Sequence, residues 1–158
     1  MSILIDTSVF FAFYSKKDRY HQDALAVMLH ASEGRWGRPQ LTDYVLDETV
    51  TLLKNKVSPK TALAIFGTLE NSGPLRLIRL DEDSLNRSIE IFKNYAEKPG
   101  FSFTDATTVS IMKDYAIEHL ASLDQRSFSG IFTPVGAGYF QSLSLLERKR
   151  IRQVIPRT

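Results

Sequence analysis

Ser2-Ile3-Leu4-Ile5-Asp6-Thr7-Ser8 opens the chain, and the reading of this stretch decides the fold. The short apolar run from Ser2 to Ile5 has the character of a strand that ends at Asp6, and Val9 to Tyr14 then reads as the start of a helix. An acid at a strand-to-helix step is the motif to follow along the chain. In a parallel sheet all such steps lie along the carboxyl edge, where acids distant in sequence converge on one crevice.

Working outward, a helix is expected from about Tyr20 to Ser32, with Ala24, Val27, Met28 and Ala31 at helical spacing, closed by Gly34, Gly37 and Pro39. Leu41-Thr42-Asp43 leads into Tyr44 to Lys54, where Val45, Glu48, Thr49 and Leu52 share one side, so Glu48 is expected on a mostly buried face. Ser58-Pro59 opens another helix and Asn71-Ser72-Gly73-Pro74 stops it. Leu75 to Leu80 alternates as a half-exposed strand, followed by a helix from about Asp83 to Glu97 and a stop at Pro99-Gly100. Thr104-Asp105 opens a helix to about Ile117, His119 to Leu123 is a strand leading to Asp124, and Phe132-Thr133-Pro134 is placed as a last edge strand. Strands alternating with helices imply an α/β, three-layer architecture with a short, mainly parallel sheet.

At 158 residues the chain suits one domain, 1–158, able to bury a core unaided. Its 43% hydrophobic and 24% charged content is that of a soluble globular protein, and no apolar stretch is long enough to cross a membrane. Zero cysteines remove disulfides, thiolate metal sites and cysteine nucleophiles, and fit a cytoplasmic location. The net charge of +2 does not describe a polycation, yet Arg148, Lys149, Arg150, Arg152 and Arg157 give residues 145–158 a net +4 against Glu147, leaving −2 for the rest. Arg148, Lys149 and Arg150 in this basic end, and Lys16, Lys17 and Arg19 in a charged turn, are candidate phosphate contacts; a solvated face is the plainer reading of both. His21, His30 and His119 are too scattered for a metal triad and read as surface or helix-end residues, and Tyr139 and Phe140 are placed to stack on bases or dock on another subunit.

Asp6, Glu48, Asp105 and Asp124 are the candidate catalytic and metal-binding residues. Each has a plain alternative. Asp6 and Asp105 can cap their helices, Asp124 can be a turn residue, and Glu48 can pair with a buried Arg. Gathered in one pocket, however, several carboxylates repel one another unless a cation compensates, and an all-oxygen set suits Mg²⁺ or Mn²⁺. A phosphatase using Asp6 as nucleophile needs a second acid at position 8, which is Ser8.

The ordered blocks are an apolar run with Asp6-Thr7-Ser8, Thr42 to Glu48, Phe103-Thr104-Asp105-Ala106, and Leu120-Ala121-Ser122-Leu123-Asp124 with Phe128 beyond. Together they resemble the PIN domain, and within it the VapC-like toxins, over most of the chain to about Pro134. The resemblance implies a core of about 1–134 with a basic extension of 135–158, and a metal-dependent endoribonuclease in which Asp6, Glu48, Asp105 and Asp124 bind one or two Mg²⁺ or Mn²⁺ ions. Ser8 and Ser122 then occupy the hydroxyl positions that support the acids. It further implies an RNA substrate, a cognate antitoxin and, by analogy, a homodimer. Two departures stand out: the fourth block reads Ser-Leu-Asp where Thr-x-Asp is commoner, and Ser127 stands where many relatives have another Asp. A non-catalytic RNA- or protein-binding module is the competing reading, opposed by retention of all four acids.

Overall fold

A computed structural model describes residues 1–70 and 73–154, so Asn71 and Ser72 of the expected helix stop and Arg157 of the basic end lie outside the described residues. Five strands form one sheet: β1 (Ser2–Ile5), β2 (Arg38–Thr42), β3 (Arg76–Ile78), β4 (His119–Ser122) and β5 (Val135–Gly136). Their order is β3-β2-β1-β4-β5, and every neighbouring pair is parallel. The expected α/β class and parallel sheet are therefore present.

Alternation along β1 divides the core, because successive side chains of a strand leave opposite faces. Ile3 and Ile5 join Val9 and Phe10 of α1 (Thr7–Tyr14), Ala24 and Val27 of α2 (His21–Ser32), Val45 of α3 (Asp43–Lys56) and Ile65 of α4 (Pro59–Glu70). Leu4 faces the other way, onto Val109 and Met112 of α6 (Phe103–Asp114) and Phe128 of α7 (Gln125–Phe128), with α5 (Glu82–Tyr95) packed alongside through Ile91 and Phe92. Two helical layers thus enclose the sheet, leaving its carboxyl edge open. The chain winds outward from β1 through β2 to β3, then returns on the other side of β1 as β4. The ends of β1 and β4 flank the point where the winding reverses, which is where such sheets form their crevice.

Two strands differ from expectation. Gly37 and Pro39 read as breakers, yet Pro39 lies within β2 in register with Ile3. Gly37 is needed for the approach, at φ +78 with the first residue's carbonyl where a side chain would sit: a Cβ would lie 1.9 Å from Met1 O. The last strand is Val135–Gly136 and not Phe132-Thr133-Pro134. Pro134 cannot donate to a ladder, and Gly136 alone tolerates β4, since a Cβ there would lie 2.0 Å from Ser122 O.

Beyond β5, α8 (Tyr139–Ser142) and α9 (Leu145–Val154) fold back on α2. Phe140 is buried with Ala26 and Ile151, so it is a core residue and not free to stack on bases or dock on another subunit. His30 is the helix-end residue expected, in the last turn of α2, but at 3% exposure it is not a surface one. Its Nδ1 accepts from Arg35 (2.8 Å), which places the proton on Nε2, donating to Glu147 Oε1 at 2.6 Å. Tyr139, half-buried, takes an Arg35 hydrogen bond of 2.7 Å and lies 2.7 Å from His30 Nδ1. Among the described residues no helix is long and apolar enough to cross a membrane.

Candidate active site

Asp6 directly follows β1 and is the first backbone residue before α1, but its carboxylate does not cap that helix. It turns to β4. Ser8 Oγ and Ser122 Oγ each donate to Asp6 Oδ2 at 2.8 Å. The same two hydroxyls accept from the amides of Leu123 (2.9 Å) and Asp124 (3.1 Å), so they brace the β4 turn and the carboxylate together. Each hydroxyl has one proton and spends it on Oδ2, and neither reaches Oδ1. Asp6 is 5% exposed, and burial raises its pKa above the usual carboxylate range. The Ser8 and Ser122 hydroxyls oppose that rise, and the charge of Glu48 adds to it.

Asp105 does cap, though not where the sequence suggested. α6 begins at Phe103 with Ser102 as its N-cap, which makes Asp105 the third helical residue of a capping box. Ser102 N donates to Asp105 Oδ2 (2.8 Å) and Asp105 N donates to Ser102 Oγ (3.0 Å), again leaving one carboxylate oxygen out of the exchange. Burial pushes the Asp105 carboxyl up to about 7, with the charges of Asp6 and Asp124 contributing and the Ser102 hydrogen bonds resisting. Asp105 and Asp6, 99 positions apart in sequence, thus face each other electrostatically across the crevice.

Glu48 is exposed, which corrects the expectation of a buried face: Val45 and Thr49 turn inward while Glu48 stands at the edge of their stripe. Among the described residues no buried Arg pairs with it. Thr7 Oγ1 donates to Glu48 Oε2 at 2.9 Å, tying α3 to the first turn of α1. Asp124 is exposed and spends both oxygens on α7, accepting from Ser127 N (3.0 Å) and Ser127 Oγ (2.6 Å). The residue replacing the family's further Asp therefore holds Asp124 as a helix cap. Thr7 and Ser102 were not singled out in the sequence. The Ser102-Phe103-Thr104-Asp105 spacing carries the signal of a capping box for the second, whereas the Thr7 partner is 41 positions away and leaves no local trace.

The basic candidates lie elsewhere. Lys16, Lys17 and Arg19 are exposed beyond the end of α1, a helix length of about 12 Å from Asp6. Arg19 lies over the Tyr20 ring at 4.6 Å. Arg150 is committed to Glu33 (2.6 and 3.0 Å) and to Glu147 (2.6 Å), Arg148 donates to Gln141 at 3.0 Å, and Lys149 is exposed on α9.

Among the described residues no group of three or more carboxylate or imidazole side chains is close enough to enclose an ion. The donor set nonetheless fits Mg²⁺, which keeps several waters and takes only one or two carboxylates. Two buried acids raised by burial and by neighbouring carboxylates, each with an oxygen outside the side-chain hydrogen bonds described, supply such a pair.

The family model for the PIN domain matches residues 3–131. The chain belongs to the PIN-domain family. A curated relative, the VapC ribonuclease of Archaeoglobus fulgidus, is 41% identical over 155 residues, covering 98% of this chain and 96% of the relative. Among solved structures this PIN domain resembles VapC20 of Mycobacterium tuberculosis, a toxin that cleaves the sarcin-ricin loop, with a TM-score of 0.74 and 23% identity over 85% of this chain and 98% of that one. The DNA-bound VapBC of Salmonella typhimurium gives a TM-score of 0.59 at 15% identity, covering 83% of this chain and 92% of that one. The family match ends before β5, so α8 and α9 lie beyond it.

Proposed function

We propose that this PIN domain is a divalent-metal-dependent endoribonuclease, the toxin of a toxin-antitoxin pair acting in the cytoplasm. The observation that carries the proposal is that buried Asp6, at the reversal point of the sheet, lies within charge range of Glu48 on one side and Asp105 on the other, with no basic partner at ion-pair distance among the described residues. Near-full-length identity of 41% to a VapC ribonuclease supports the same reading, as does the fold likeness to VapBC assemblies for an antitoxin partner.

Asp6 and Asp105 would hold Mg²⁺ or Mn²⁺ directly, with Glu48 and Asp124 acting directly or through water. The ion would acidify a water and neutralise charge on the phosphoryl oxygens. The protein's own part is to fix the acids: Ser8 and Ser122 orient Asp6, Ser102 orients Asp105, Thr7 orients Glu48 and Ser127 orients Asp124. Glu48, exposed and held at one oxygen, is placed to accept a proton from the attacking water. A homodimer and a single-domain organisation belong to the proposal and are checked by light scattering and limited proteolysis.

The test is cleavage of total RNA by wild type and Asp6→Asn in Mg²⁺, Mn²⁺ or EDTA. Discrete fragments from wild type with metal alone support the proposal; identical traces from both proteins favour the non-catalytic module. Growth arrest on expression of wild type but not Asp6→Asn, relieved by a co-expressed antitoxin, tests the pairing.

A further inference from the structure

The acids set a problem for RNA binding. Four carboxylates line the crevice, RNA carries a charge at every phosphate, and among the described residues no Lys or Arg side chain lies at ion-pair distance from these acids. Arg150 is spent on Glu33 and Glu147, and Arg87 on Asp114. An uncharged surface beside the acids would add grip that does not depend on phosphate contacts.

Such a surface lies on the two helices that carry Glu48 and Asp105. Tyr44, one turn before Glu48 on α3, meets Phe103, two residues before Asp105 on α6, with ring centroids 5.6 Å apart and planes at 59°. Phe92 of α5 backs Phe103 edge-on at 5.8 Å. Tyr44 and Phe103 are only half-buried, so the pair keeps exposed surface while Phe92 holds Phe103. Residues one turn apart on a helix are neighbours, which sets the Tyr44 ring beside the Glu48 side chain.

We propose that Tyr44 and Phe103 form a stacking subsite for an unpaired nucleobase adjoining the cleaved phosphodiester. The inference rests on the ribonuclease reading and deepens it: the substrate presents a single-stranded loop, bulge or end at the cut, because a base inside a duplex has no free face to offer. Stacking also adds affinity without bringing further negative charge onto the acids, and tolerates any base.

The test is binding of a fluorescent single-stranded RNA to cleavage-deficient Asp6→Asn protein in Mg²⁺, carrying Tyr44, Tyr44→Phe or Tyr44→Leu. An intact oligonucleotide is compared with a set in which each position in turn is abasic. Tyr44→Phe is expected to bind as the parent and Tyr44→Leu roughly tenfold more weakly. One abasic position should weaken the parent by a similar factor while leaving Tyr44→Leu unaffected. With Asp6 restored, Tyr44→Leu should raise KM with little change in kcat. Thermal melts and Phe103→Leu, which should reproduce the Tyr44→Leu loss, separate recognition from misfolding. Unchanged binding by a folded Tyr44→Leu, or equal abasic losses in both proteins, overturns the subsite while wild-type cleavage leaves the nuclease standing. Absence of both RNA binding and cleavage in the wild type overturns both.

Discussion

At the scale of single residues, the site stores electrostatic cost that a cation can relieve. Asp105 is lifted from 3.8 to about 7, so the metal-free folded protein holds this proton more tightly than the unfolded chain does. The sign follows: from pH 3.8 upward the unfolded chain releases the proton first, and a penalty on the folded state accumulates until pH passes about 7. Asp105→Asn should flatten this decline and melt higher than wild type in EDTA at about pH 8, and Mg²⁺ should stabilise wild type but not the variant. Scanning fluorimetry across pH reads both; equal pH dependence would refute the assignment. Thr7→Val, which removes only the donor to Glu48, should leave the melt nearly unchanged and reduce cleavage roughly 10- to 100-fold, with Thr7→Ser restoring it. Asp6 was legible in the sequence because a short strand and a helix bracket it. Glu48 was legible as an acid at helical spacing but not as an exposed one, because periodicity gives a side of the helix and not the boundary of what covers it.

At the scale of elements, the sheet depends on glycine where two backbones approach. Gly136→Ala would drive its Cβ into Ser122 O and should cost about 1–3 kcal/mol in urea unfolding. It should also lower activity, because Ser122 is the residue that holds Asp6 from the β4 side; an unchanged melt with full cleavage would sink this view of β5. Ordinary strand and helix signals located β1, β3, β4 and most helices. β2 was hidden because Gly37 and Pro39 are breakers in isolation, and β5 was displaced because Gly136 carries no strand signal of its own; only their neighbours, Met1, Ile3 and Ser122, show why those residue types fit. α6 starts one residue before Thr104 for a similar reason: the cap is Ser102, and Asp105 closes the box from inside the helix.

At the scale of the whole molecule, buried His30 clamps the C-terminal helices to α2. His30→Ala removes bonds to Glu147 and Arg35 and leaves a cavity, and should destabilise by about 2 kcal/mol or more. Arg150→Ala, at the exposed end of the same network, should cost clearly less, and a reversed ranking in urea melts would show that the surface bridges hold α9. None of this was readable from the tail's composition, because His30 and Glu147 are 117 positions apart and a basic run looks alike whether solvated or docked. The same remoteness governs the crevice itself. Asp6 is made well before its hydrogen-bond donor Ser122, which comes 116 positions later. A nascent chain on the ribosome thus carries Asp6 unbraced until β4 and the turn after it have emerged, so the proposed nuclease stays inert until then.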